Sequence, residues 1–447
     1  MSAAPPFLHP FLHPFIRPCV LPAFLLLSLA LSSCASRSAT TATPASPAVP
    51  LWADAERAAV VTFWNRNGRV RVSFDRPRAA LTPEASEWFF AYGRALRQAS
   101  PAEAAAWQAW TDAELARDRR QAAQTAGIAP DGPDPPAPGL IPAGLLRAVG
   151  DPPPLSAAVV PKRTVIALES GLPLVYTAPI PVGPRYPFLR SAEGVISGGE
   201  PLKQMPAAGL DALMREAGLS PFEAHVVGAV SQLEGGFDAV NTYDTGFVSV
   251  GFIQFITSAG GDGSLASVLA SEKKDDPADF AHFFHDRGID VTPGGLYAVL
   301  DPATGAELSG ADAVRVTIRD PRLVAAFQAA GRSSVAFRVA QIRAAKSGYY
   351  PTADPITVTL PGGATLTGAV GDVLHSEAGM ATAFDRKVNR GHVAPEVAAA
   401  VMAVMTAHGL STLAQVAPYE REVIAAIKYR ADFLADKALG QPPDLPH

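Results

Sequence analysis

The stretch from Leu233 to Phe255, LEGGFDAVNTYDTGFVSVGFIQF, joins three different patterns. A glutamate ends an apolar helical pattern, two glycines follow, and a polar turn-rich stretch runs into an apolar segment with one glutamine inside it. Just upstream, GLSPFEAHVVGAVSQLEGG spells out its helix. Ser220 suits the N-cap, Pro221 the first helical position, and Glu223 completes a capping box with Ser220. Phe222, Val226, Val230 and Leu233 mark an apolar stripe, and Gly235-Gly236 is the expected stop. Glu234 is therefore expected in the last helical turn, at the border of the buried face.

Partial desolvation and the negative end of the helix dipole both disfavour a charged carboxylate at that place. An acid that keeps its proton near neutral pH is what cleavage of a glycosidic bond requires, because the leaving oxygen must be protonated. The turn residues Asn241, Asp244 and Gly246, with alternation on either side, predict a hairpin beside the helix. Asp244 lies far enough along the chain to face Glu234 across a cleft. There a second carboxylate orients a water or stabilises an oxocarbenium-like transition state. The other reading of Asp244 is a turn-former bonded to its own backbone. Gly251 admits close approach of backbone or sugar, and Gln254 offers an amide to an acetamido or hydroxyl group.

At these residues the chain resembles the lysozyme-like superfamily, which includes phage-type lysozymes and soluble lytic transglycosylases. The resemblance rests on Glu234 at a helix end, the Asn-Thr-Tyr-Asp-Thr-Gly hairpin, and Gly251-Phe252-Ile253-Gln254. It implies a mainly α (α+β) fold: a helical domain with a small β-hairpin beside the catalytic helix. By the same resemblance Glu234 is the general acid, Asp244 the second carboxylate and Ser249 a water-positioning hydroxyl, with Asn241, Tyr243 and Gln254 joining Ser249 in substrate binding. The sequence departs from transglycosylases at Gly235, where those enzymes usually carry Ser. AFDRKVNRG and EREVIAAIKYRADFLADKAL resemble the later helices of such domains.

The rest of the 447-residue chain sets limits on these readings. Charged residues are 18% and hydrophobic residues 48%, enough for a sizeable core. The net charge is −5 and no block of Lys or Arg tracks a phosphate backbone, so no nucleic acid is expected as a partner. The two cysteines, Cys19 and Cys34, exclude a disulfide framework in the body. RPCVLPAFLLLSLALSSCAS has the charge and apolar length of a signal peptide, and Leu31-Ser32-Ser33-Cys34 resembles the lipobox of bacterial lipoproteins. That resemblance implies lipidation at Cys34 and a membrane anchor. With Ala35 next, it implies the outer membrane facing the periplasm in a two-membrane cell, or the cell membrane otherwise.

The expected organisation is a signal peptide over 1–33, a Ser/Thr/Ala/Pro tether over 34–50 and an N-terminal helical region over 51–127. A Pro/Gly-rich linker with short strands follows over 128–200, and a lysozyme-like domain over 201–440. Within that domain residues 280–367 are read as an insertion, with VRVTIRD and ITVTLPGGATLTG as its strands. NRNGRVRVSFD predicts a short strand or hairpin in the N-terminal region. Trp64, Trp88, Phe89, Trp107 and Trp110 are read as the core of a small helical unit rather than a sugar-stacking face. His282, His285 and Asp286, near Asp275, Asp276 and Asp279, are read as a solvated helix face; no metal and no cofactor are expected. Tyr349 and Tyr350 suit a buried pair or a stacking platform equally well. The expected function is a muramidase-like glycosidase acting on peptidoglycan glycan strands. The alternatives are a lytic transglycosylase giving 1,6-anhydro products and a non-catalytic cell-wall-binding lipoprotein of the same fold.

Overall fold

The computed structural model describes residues 50–129, 132–168, 173–177, 194–243 and 246–444. The expected signal peptide, the expected tether up to residue 49, Cys34 and Asp244 lie outside them. The described chain is a mixed α+β structure: fourteen α-helices and several small antiparallel sheets, one of seven strands.

Two apolar clusters organise it. The smaller gathers Trp88, Phe89, Trp107, Trp110, Leu145 and Leu155 from helices Pro83–Leu96, Pro101–Thr125 and Ala143–Val149 and the segments beside them. Each long helix begins on a hydroxyl cap, Thr82 in one and Ser100 in the other, followed by a proline whose missing N–H costs nothing there. Strand Ser156–Val159 closes the unit by pairing with Arg78–Leu81. Trp64 does not belong to it. Trp64 sits on helix Asp54–Asn67, packs in the larger cluster and donates its Nε1–H to the Arg287 carbonyl at 2.9 Å. Trp52 does the same toward the His285 carbonyl, also at 2.9 Å, while its ring stacks on the His285 imidazole. The first helix is thus pinned to the main body by two indoles, and His285, the packing partner of Trp52, is bonded through Nδ1 to Asp290 at 2.7 Å.

The seven-stranded sheet runs in the order Arg69–Phe74, Lys162–Ala167, Pro173–Thr177, Ile196–Ser197, Val240–Asn241, Ser249–Val250, Phe255–Ile256. The expected strand in NRNGRVRVSFD forms one edge of this sheet. The expected hairpin of the opening stretch forms the other end, with Val240 opposite Val250 and Asn241 opposite Ser249.

Residues 280–367 carry structure that the main core uses. Helices Pro321–Ser333 and Val335–Tyr349 bury Phe327 and Phe337 completely. ITVTLPGGATLTG forms strand as expected, and its two halves pair as a hairpin, Pro355–Thr359 with Thr365–Ala369. VRVTIRD does not form a strand. All but its last residue lies in helix Ala311–Arg319, where Ala313, Val314 and Thr317 share the buried face and Thr317 meets the Tyr297 hydroxyl at 2.9 Å. Packing at a spacing of three and four residues overrides the β preference of Val, Thr and Ile.

Candidate functional site

Helix Pro221–Ser231 starts as its sequence dictates. The Ser220 hydroxyl accepts from the Glu223 N–H, and the Glu223 carboxylate accepts from the Ser220 N–H at 2.8 Å. Its end differs from expectation. The helix stops at Ser231, and the chain leaves through two tight turns, Leu233 N–H to the Val230 carbonyl and Glu234 N–H to the Ser231 carbonyl. Glu234 therefore stands just past the helix, and the two glycines do not stop it. They let the chain lie against residues 198–200 instead. A Cβ on Gly236 would fall 2.3 Å from the Glu200 carbonyl oxygen, and the Gly236 N–H donates to the Gly198 carbonyl at 3.0 Å.

The Glu234 side chain has no exposed surface. Its Oε1 is ion-paired with the Arg430 guanidinium, and its Oε2 is buried with no hydrogen-bond partner among the described residues. Arg430 in turn donates from Nε to Asp385 Oδ1 at 2.7 Å, and its backbone N–H meets Asp385 Oδ2 at 3.2 Å. Asp385 projects from helix Glu377–Arg390, which packs along the glutamate helix; Asn389, one turn on, donates to the Asp385 carbonyl at 2.9 Å. Two carboxylates thus share one guanidinium in a dry place. Burial pushes the Glu234 carboxyl up to about 7. The Arg430 charge and its hydrogen bond pull it down less strongly, and the Asp385 charge adds to the rise. One proton on Glu234 balances the trio.

The other candidates fall into place around the hairpin. Asn241 is buried in its strand and accepts the Tyr243 N–H at 3.1 Å. Ser249 is buried opposite it. Gln254 is spent on its own turn: its backbone has φ of 59°, and its amide nitrogen donates to the Gly251 carbonyl at 2.9 Å. The close approach that Gly251 permits is made by Gln341. With φ of 85° at Gly251, a Cβ there would lie 2.1 Å from the Gln341 amide oxygen. Gln341, fully buried, accepts from the Phe252 N–H and donates to the Phe237 carbonyl at 3.0 Å, tying the two ends of the hairpin segment together. A cavity of about 520 Å³ opens at the other end of the glutamate helix, between Ser220, Glu223, Tyr350 and His375.

Arg430, Asp385, Asn389 and Gln341 were not singled out from the sequence. Asp385 and Asn389 recur at i, i+4, each directly after an apolar residue, Phe384 and Val388, which marks polar groups on a buried helix face. Arg430 follows the last helix, Glu420–Ile427, in a segment with no periodicity to announce it. No protein-family model, no curated protein and no solved structure matches this chain.

Proposed function

We propose that the protein cleaves peptidoglycan glycan strands, with Glu234 as the general acid that protonates the glycosidic oxygen. One observation carries this reading: a carboxyl at a helix end, dry enough to hold its proton to about pH 7 and paired on one oxygen only. A general acid works best with its pKa near the operating pH. Arg430 fixes Oε1 and leaves Oε2 as the atom to carry the proton. Because the side chain is enclosed, turnover requires the segment that bears Arg430 to yield to an entering sugar. Asp244 remains the proposed second carboxylate, and Ser249 the hydroxyl beside the attacking water. Should no carboxylate serve, the substrate's own 6-hydroxyl closes on the sugar and the product is 1,6-anhydro. The proposed setting is an exported lipoprotein held at a membrane through Cys34, with the glycan strand as its partner.

The enclosure of Glu234 itself favours a second reading. In that reading the trio is a clasp that holds the C-terminal segment on the helices, and the protein binds cell wall without cutting it. Purified sacculi separate the two. The first reading expects muropeptide release by the parent and at least about a hundredfold less from Glu234→Gln, with sacculus binding intact. Binding without release by the parent itself supports the second. Product mass then distinguishes hydrolysis from anhydro formation, which differ by one water.

A further inference from the structure

Among the described residues, strand Arg69–Phe74 is the free edge of the seven-stranded sheet, and all six of its residues are exposed. Natural edges are usually short, charged inward or covered, because an open edge is a template for another strand. Here the edge offers Val70 at 42%, Val72 at 47% and Phe74 at 69% exposure. The register of its one neighbour fixes which backbone groups are free. Asp75 donates its N–H to the Pro161 carbonyl at 2.9 Å, continuing the pairing of Phe74 with Lys162. In an antiparallel ladder bonded and non-bonded pairs alternate. Residues 69, 71, 73 and 75 therefore bond inward, and Val70, Val72 and Phe74 turn their N–H and C=O groups outward.

We infer that this edge takes the same edge of a second copy of this chain, antiparallel, with Val72 on the two-fold axis. The sequence is self-complementary about that residue. Val72 meets Val72, Val70 meets Phe74, Arg71 meets Ser73, and Arg69 meets Asp75 of the other copy. Parity agrees throughout. The pairs that share the axis face are the ones whose backbone groups point outward, so each of the pairings 70–74, 72–72 and 74–70 exchanges two N–H···O bonds. The side-chain pairs are of the kinds that stabilise sheets: β-branched with aromatic on one face, opposite charges at the ends. Arg69 and Asp75 have no ion-pair partner among the described residues, so both are available for this contact. Any other in-parity register sets Arg69 against a residue without charge or against a second arginine. The shared edge would make one continuous sheet across the two copies.

The test is thiol cross-linking of the full chain, with Cys19→Ser and Cys34→Ser removing the native thiols. In the inferred register two copies of position 72 lie about 5.5 Å apart between Cα atoms. Two copies of position 74 are offset by about 13 Å along the strands. A short bis-maleimide should therefore join Val72→Cys through two thioethers into a species of twice the 46.6 kDa chain mass and leave Phe74→Cys single. Adding Asp75→Arg to Val72→Cys should cut the yield at least about tenfold, and adding Arg69→Asp as well should restore it. No bridge at 72, equal bridging at 72 and 74, or a yield at 72 indifferent to the charge reversal would each overturn the inference.

Discussion

Glu234 and Arg430, 196 residues apart in the chain, form an ion pair in which the glutamate side chain has no exposed surface and the arginine side chain retains a fifth of its own. The pair ties the exit of one helix to an irregular C-terminal segment, and through Asp385 to a second helix. A buried pair of this kind adds little net stability over an apolar replacement, but breaking it from one side is costly.

Arg430→Gln leaves Glu234 and Asp385 facing each other without a counter-charge. The expected loss is about 3 kcal/mol near neutral pH. Glu234 relieves part of it by taking up a proton, so the loss should be smaller at pH 5 than at pH 8. Urea unfolding of the parent and the variant at both pH values checks this; an equal loss at both would mean the two carboxylates are not electrostatically coupled.

Glu272 is a second acid held out of its usual range. It is buried on helix Ser264–Asp275, and burial, followed by the negative charges of Asp279 and Asp276, pushes it up to about 9. The folded protein then binds the Glu272 proton more tightly than the unfolded chain, whose glutamate titrates near 4.5. The associated stability is fully present below about 4.5 and is lost as pH rises toward about 9. Glu272→Gln should flatten the fall in melting temperature between pH 7 and pH 9 while changing little at pH 5. A parent whose melting temperature is level over that range would refute the assignment.

Gly251→Ala forces a methyl group against the Gln341 amide and puts a side chain at positive φ, which should cost about 2–3 kcal/mol. Gln341→Ala should cost about 1–3 kcal/mol, because the Phe237 carbonyl and the Phe252 N–H lose their buried partner. The two changes act on one contact. The double variant should therefore be less damaged than the sum of the singles, as chemical denaturation of all four proteins would show.

How much of this was legible beforehand varied with the range of the interaction. The start of the glutamate helix was written in four consecutive residues, Ser220 to Glu223, because capping is local. The hairpin Val240–Asn241 with Ser249–Val250 was legible for the same reason, from its turn residues. The helix end was not legible. Gly235 and Gly236 read as a stop, yet their lack of side chains serves the approach of residues 198–200, a contact with no local signature. VRVTIRD misled through residue preference, which buried packing against Tyr297 overrode. Arg430 and Gln341 act across long sequence separations, and a single sequence carries no pattern that joins them to Glu234 or to Gly251. The aromatic residues of the N-terminal region were recognisable as core, but only the fold divides Trp64 from Trp88, Trp107 and Trp110.

The proton on Glu234 can be observed directly. Carbon-13 titration of the glutamate carboxyls, with the Glu234 signal assigned by its absence in Glu234→Gln, gives its midpoint in the folded protein. The expected midpoint is near 7, displaced upward by burial against the pull of Arg430. A midpoint at the ordinary 4.5 would show a carboxylate fully ionised at neutral pH, and the proposed acid would have no proton to give.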